Sequence, residues 1–177
     1  MSDRVRQYID FTHDHRTPGG RYISVDILEK LGYFTAPAST KYHGAYYGGL
    51  FDHSLETAKA LIDMTKKLNL KWKNPDSPWI IGLFHDLCKC ELYVKNEENR
   101  WAYNPDIIIP GHGEKSIIML QKYMQLTDEE IACIRWHMGA YETDTKMWSY
   151  YGKAVEKYPN VLFTHTADMY ASKIAGV

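Results

Sequence analysis

The 177 residues predict an all-α fold, a bundle of helices interrupted by one small β-hairpin around residues 91–104. Three observations carry that expectation. Apolar side chains recur at steps of three and four along the middle of the chain. Helix start and stop residues fall at the ends of these periodic stretches. Only between Glu91 and Asn104 does the pattern change, to two short apolar-aromatic runs around the polar turn Asn96-Glu97-Glu98-Asn99.

From Met1 to about Arg21 the chain is polar and mixed, with room for a short helix before Thr17-Pro18-Gly19-Gly20 turns it. Ser24 caps a helix from Val25 to Leu31, closed by Gly32. From Leu50 to about Leu68, residues Leu55, Ala58, Leu61, Ile62, Thr65 and Leu68 form one helical stripe. Ser77-Pro78 reads as N-cap and first helical position of the next helix, with Trp79, Ile80, Leu83, Phe84 and Leu87 on one side and His85-Asp86 closing it. After the hairpin a helix starts at Gly111 and runs to about Met124. Thr127 with Glu130 is a capping box for another that ends near His137, before Gly139. Helices from about Asp144 to Lys157 and from Val161 to Lys173 complete the chain, and Phe51, Trp79, Phe84, Trp136 and Trp148 read as core.

The length suits one domain spanning 1–177, and no repeat, low-complexity tract or linker divides it. Lys plus Arg (21) nearly balances Asp plus Glu (22), so no field of one sign argues for long nucleic acid or a membrane surface. Met1 to Asp10 has no apolar leader core, and no stretch approaches the ~20 apolar residues of a bilayer span. The expected location is the cytoplasm; the oligomeric state is open. Cys88, Cys90 and Cys133 fit neither a disulfide framework nor a zinc knuckle, and read as reduced bystanders.

Eight histidines and twelve aspartates predict about half a His-Asp dipeptide by chance, and the chain has two. His13-Asp14 lies in a polar stretch and reads as solvated surface. His85-Asp86 ends an apolar run, so both side chains face a buried place where an uncommitted imidazole is costly. Adjacent helical positions point about 100° apart, which lets the two approach one ion, or lets the carboxylate bridge two. His53 meets them if its helix packs antiparallel to theirs, and Asp168 is the late acid best placed to join. Taken singly each of these is more often a satisfied polar group. As an ordered set they read as ligands.

Gly48-Gly49-Leu50-Phe51-Asp52-His53-Ser54, then Leu83-Phe84-His85-Asp86-Leu87-Cys88-Lys89, then Asp168, together resemble the HD phosphohydrolase superfamily, with the likeness strongest over 41–173. The chain is most similar to stand-alone bacterial or phage HD domains and to those attached to exoribonucleases, which share a lead-in like His43 to Leu50. The resemblance implies a single HD-domain helical bundle in which His53, His85, Asp86 and Asp168 hold a first metal ion. It also implies that His112, His137 and a bridging Asp86 hold a second. The implied reaction is hydrolysis of a phosphate ester of a nucleotide or related small molecule by a metal-bound hydroxide, with Asp86 and Lys89 as catalytic residues. Imidazole and carboxylate donors favour Fe or Mn, with Zn, Ni, Co or Mg as further options. Lys89 and Lys115 are candidates to bind the substrate phosphate, and His43, Tyr46, Tyr47, Arg135 and Tyr141 are candidates for pocket walls.

The same ligands also resemble the mixed-valence diiron oxygenases of this fold, which are the rival enzyme class. A nucleotide sensor without turnover has no need of the full ligand set. Met138-Gly139-Ala140-Tyr141-Glu142 lacks the Gly-Tyr-Pro of the cyclic dinucleotide phosphodiesterases. A deoxynucleotide triphosphohydrolase, commonly with one metal, leaves His112 and His137 without a role.

Overall fold

The computed structural model describes residues 1–139 and 145–177. Its helices are α1 (Asp3–His15), α2 (Val25–Leu31), α3 (Gly49–Leu68), α4 (Ser77–Phe84), α5 (Lys89–Leu92), α6 (His112–Leu120), α7 (Asp128–Arg135), α8 (Thr145–Lys157) and α9 (Asn160–Tyr170), the last continuing into a π-helical turn, Ala171–Ala175. Strands β1 (Tyr93–Lys95) and β2 (Trp101–Tyr103) pair antiparallel, with Tyr93 opposite Tyr103 and Lys95 opposite Trp101. The all-α expectation and the hairpin are therefore correct. No helix of the described residues is long and apolar enough to cross a membrane.

Helix α3 packs against α4, and α9 contacts both. The first contact is made possible by Gly82, where an added Cβ would stand 2.3 Å from the Ala58 Cα. Helix α7 bridges α4, α6 and α9. Apolar side chains from all these elements, including Leu50, Phe51, Leu61, Trp79, Ile80, Leu83 and Val161, form the core.

Several boundaries differ from the sequence expectation. The N-terminal segment forms a 13-residue helix, started by the Ser2 hydroxyl accepting from the Val5 N–H, and it buries Val5, Tyr8 and Phe11. Ser24 precedes α2 without a side-chain cap bond, while Gly32 does close it in the left-handed region. Asp76, not Ser77, is the N-cap of α4, and the Ser77 hydroxyl donates instead to Glu130. Helices α4, α6 and α7 stop at Phe84, Leu120 and Arg135, short of the expected ends at Asp86, Met124 and His137. A helical turn, α5, precedes the hairpin. Residue 144, the expected start of α8, lies outside the described residues, and Trp148 on α8 is 46% exposed rather than core.

The capping box of α7 doubles as a tertiary clamp. Glu130, with no exposed side-chain surface, accepts from the Thr127 N–H at 2.8 Å, from Ser77 at 2.7 Å and from both Arg21 guanidinium nitrogens at 2.7 and 2.5 Å. Burial alone would raise its carboxyl, but Arg21, Thr127 and Ser77 together lower it below the usual glutamate range. A lowered folded value means that this stabilisation is complete above the unfolded glutamate pKa of about 4.3 and is lost as pH falls through the folded value. Arg21→Ala is expected to cost about 2 kcal/mol at pH 7, allowing for partial exposure of the arginine. The cost should shrink in acid, as urea midpoints at the two pH values would show.

Candidate metal centre

Five chain segments deliver the predicted ligands to one place. His53 lies on the second turn of α3, whose entry is set by Gly48 at φ 82° and by Gly49, where a Cβ would stand 2.0 Å from the Gly44 carbonyl oxygen. Asp52, beside it, takes a two-pronged bond from Arg4 at 2.8 Å for each arm, which ties α1 to the start of α3. His85 is the C-cap of α4, followed by Asp86 in the turn toward α5. His112 opens α6, and Gly113 lets that helix approach the α7 backbone at Ile134 and Arg135. His137 follows the end of α7, and Asp168 lies on α9.

The early helix ends have a use. The last carbonyls of a helix have no intrahelical partner. Here His85 Nδ1 donates to the Gly82 carbonyl at 2.9 Å and His137 Nδ1 to the Ile134 carbonyl at 2.7 Å, the same three-residue reach back in both. His53 Nδ1 donates to the Val177 carbonyl at 3.1 Å. A carbonyl can only accept, so in each neutral ring the proton sits on Nδ1 and Nε2 keeps its lone pair.

All three Nε2 atoms are buried without a hydrogen-bond partner, and all three face carboxylates. His53 Nε2 is 3.0 Å from Asp168 Oδ1 and 3.8 Å from Asp86 Oδ2. His85 Nε2 is 3.5 Å from Asp86 Oδ2 and 3.8 Å from Asp168 Oδ1. His137 Nε2 is 3.5 Å from Asp86 Oδ1. Donors ~2.1 Å from one ion stand roughly 3.0–3.4 Å apart at octahedral or tetrahedral angles; the His53–Asp168 gap falls in that range, and the other four, at 3.5–3.8 Å, lie a few tenths of an ångström beyond it, a short contraction onto a shared cation. Lone pairs aimed at carboxylate oxygens repel unless a proton or a cation lies between.

The titration behaviour agrees. Burial would raise Asp86, yet the Lys89 ammonium and the His85 and His137 rings hold it well below the carboxylate range. Asp168 is likewise raised by burial and lowered further by His53, His85 and His137, for a net lowering. Burial lowers His53 despite Asp168, leaving it neutral near pH 7. His137 rises against burial because Asp86 faces it. The buried carboxylate of Asp86 and the partly buried one of Asp168 meet one buried ammonium, Lys89 Nζ at 2.5 Å from Asp86 Oδ2, and the remaining negative charge suits a bound cation.

Three overlapping donor groups result: His53, His85 and Asp86; His85, His137 and Asp168; Asp86, Cys88 and His112. All six predicted ligands occur in them. Cys88, read from sequence as a bystander, occurs too; its position two residues after the His-Asp pair was the available signal.

A cavity of about 350 Å³ opens beside Asp86 and Asp168, and its walls include Lys89, His43, His112, Tyr42, Tyr93 and Tyr103. His43 packs 4.8 Å, ring to ring, from His53, and burial lowers its pKa to about 4. Lys89 is thus in reach of a ligand in the cavity. Lys115 instead pairs with Glu91 at 2.5 Å and lines a separate, smaller pocket beside His112. Tyr46 stands beside Asp52 and Arg4, and Tyr47 is exposed. Arg135 pairs with Glu114 at 2.6 Å and covers the Trp136 ring. Among the described residues these four do not line the cavity beside Asp86 and Asp168, and Tyr141 lies outside the described residues. His165 supports the site from behind, its Nδ1 donating to the His137 carbonyl at 2.7 Å.

No curated protein and no solved structure shows significant similarity to this sequence. The HD domain family profile, however, matches residues 50–172, well over half of the chain and spanning every candidate ligand from His53 to Asp168. The chain belongs to the HD domain family, whose members are generally metal-dependent phosphohydrolases.

Proposed function

We propose that this protein hydrolyses a phosphate ester of a nucleotide or related small molecule at a centre of one or two divalent metal ions. The observation that carries this reading is the convergence of three buried, unpartnered Nε2 atoms on two ionised carboxylates at the floor of an open cavity. His53, His85, Asp86 and Asp168 would hold one ion and His112, His137 and Asp86 a second, with Fe or Mn favoured by the nitrogen and oxygen donors. A bound divalent ion supplies an acidified water and neutralises charge on phosphate oxygens.

The chain's own residues do the rest. Lys89, 7% exposed and held at Asp86, keeps its proton, because the neighbouring carboxylates outweigh burial and raise it. It binds a phosphate oxygen or the departing oxygen at the cavity floor. His43, neutral near pH 7, offers an uncharged imidazole at the wall. Tyr42, Tyr93 and Tyr103 give the cavity aromatic surface suited to the organic part of a nucleotide. The Lys89 ammonium and the aromatic walls support phosphate esters over a neutral oxygenase substrate.

The test begins with metal analysis of protein purified without chelators, followed by phosphate release across a nucleotide panel. Removing the metal with a chelator is expected to lower turnover at least ~100-fold, and restoring Fe(II) or Mn(II) to recover it. Full turnover in metal-free protein, or substrate-dependent oxygen consumption without phosphate release, would sink the proposal.

A further inference from the structure

Cys88 sits on the turn from Asp86 into α5, buried, with its N–H donating to the Ser116 hydroxyl at 3.1 Å. That bond joins the turn to α6, the helix that His112 opens. Cys88 Sγ is 3.7 Å from His112 Nδ1, and Cys88 Sγ, a ring nitrogen of His112 and an Asp86 oxygen all lie within 4.8 Å of one another. Sulfur at ~2.3 Å and nitrogen at ~2.0 Å on one tetrahedral ion stand ~3.5 Å apart. The observed separation therefore suits two donors to the same ion.

A second observation points to a ligand here. The two oxygens of Asp86 face different neighbours. Lys89, His53 and His85 approach Oδ2, whereas His137 approaches Oδ1. The His137 ring is buried, and its Nε2 stands 3.5 Å from the Oδ1 side of the carboxylate without a hydrogen-bond partner. Cys90 and Cys133 belong to no such donor group among the described residues.

We propose that the second ion position is a mixed oxygen, nitrogen and sulfur site, built by Asp86, His112 and Cys88 beside His137, and that it selects thiophilic ions such as Zn(II), Co(II) or Fe(II) over Mg(II). This rests on reading the cluster as a metal centre and adds to it a sulfur donor and a metal class. Thiolates suit soft and borderline ions, while all-oxygen shells suit Mg(II). On binding, the Cys88 S–H bond breaks, sulfur keeps the electron pair to form the bond to the ion, and one proton leaves to solvent.

Cobalt titration of the metal-stripped full chain, under reducing and anaerobic conditions, tests this. The expected result is cobalt binding with a sulfur-to-cobalt charge-transfer band in the near ultraviolet. Cys88→Ser should lose the band, keep cobalt bound at the remaining site, and weaken the sulfur site at least ~100-fold. If Cys88→Ser does not fold, persistence of the band in Cys90→Ser and in Cys133→Ser assigns it by exclusion. Cobalt binding without the band, or a band that survives Cys88→Ser, overturns the sulfur site alone. Absence of any cobalt binding overturns the metal-centre reading as well.

Discussion

Asp86→Ala is expected to lose metal and activity together, with kcat/KM falling by ~10³-fold or more. Asp86 takes part in two of the three donor groups, and its two oxygens face His137 on one side and His53 and His85 on the other. No neighbouring carboxylate can replace both. The substitution also strands the Lys89 ammonium, which is 7% exposed and paired to Asp86 at 2.5 Å. Breaking one half of a buried pair costs about 3 kcal/mol, or a melting temperature lower by roughly 6–12 °C. The double variant Asp86→Ala, Lys89→Met should regain stability without regaining metal, which separates the two effects. Metal content, thermal melting and phosphate release together check the expectation, and an Asp86→Ala protein that keeps its metal and its turnover would falsify the site.

The second large effect is expected at a residue that offers no ligand atom of its own, although its carbonyl holds the His85 ring. Gly82→Ala places a methyl group 2.3 Å from the Ala58 Cα and 2.6 Å from its nitrogen. Backbone cannot swing aside as a side chain does, so α3 and α4 must separate. Overpacking of this kind costs about 2–3 kcal/mol, equivalent to roughly 5–10 °C in melting temperature. The same separation moves His85 away from His53, whose rings are 5.4 Å apart, and metal affinity should fall ~10-fold or more. Gly152→Ala on α8 meets nothing within 4 Å and should instead be neutral or stabilising by about 1 kcal/mol. Equal melting temperatures for the two variants would show that the α3–α4 contact has slack.

The parts of this molecule that were legible in sequence are those governed by local rules. The stripe of α3, the capping box of α7, the glycine that closes α2 and the hairpin register their physics within a few residues, and all are present. The ligand order was legible because His53 and His85-Asp86 sit in short apolar contexts that make an uncommitted imidazole costly. Helix α1 was understated because few of its thirteen residues are buried, and its role depends on distant partners such as the Ile23 carbonyl, which Tyr8 bonds. The ends of α4 and α7 were placed too late, because the histidines continue the apolar pattern while the chain has already left the helix to free a carbonyl for each ring. Lys115, Tyr46 and Arg135 could not be placed at all without knowing Glu91, Asp52 and Glu114 as their neighbours. Cys88 was passed over because spacing rules for cysteine look for a second cysteine, and its neighbour in space is a histidine 24 positions on.

The rings of His53, His85 and His137 hang from main-chain carbonyls rather than from other side chains. Their aim is thus inherited from the path of the polypeptide. Swapping the apolar residues that surround them changes how tightly the protein packs, yet leaves the imidazoles pointed the same way for as long as the helices stop where they do. An incoming ion finds the tautomers already chosen and has few rotors to freeze.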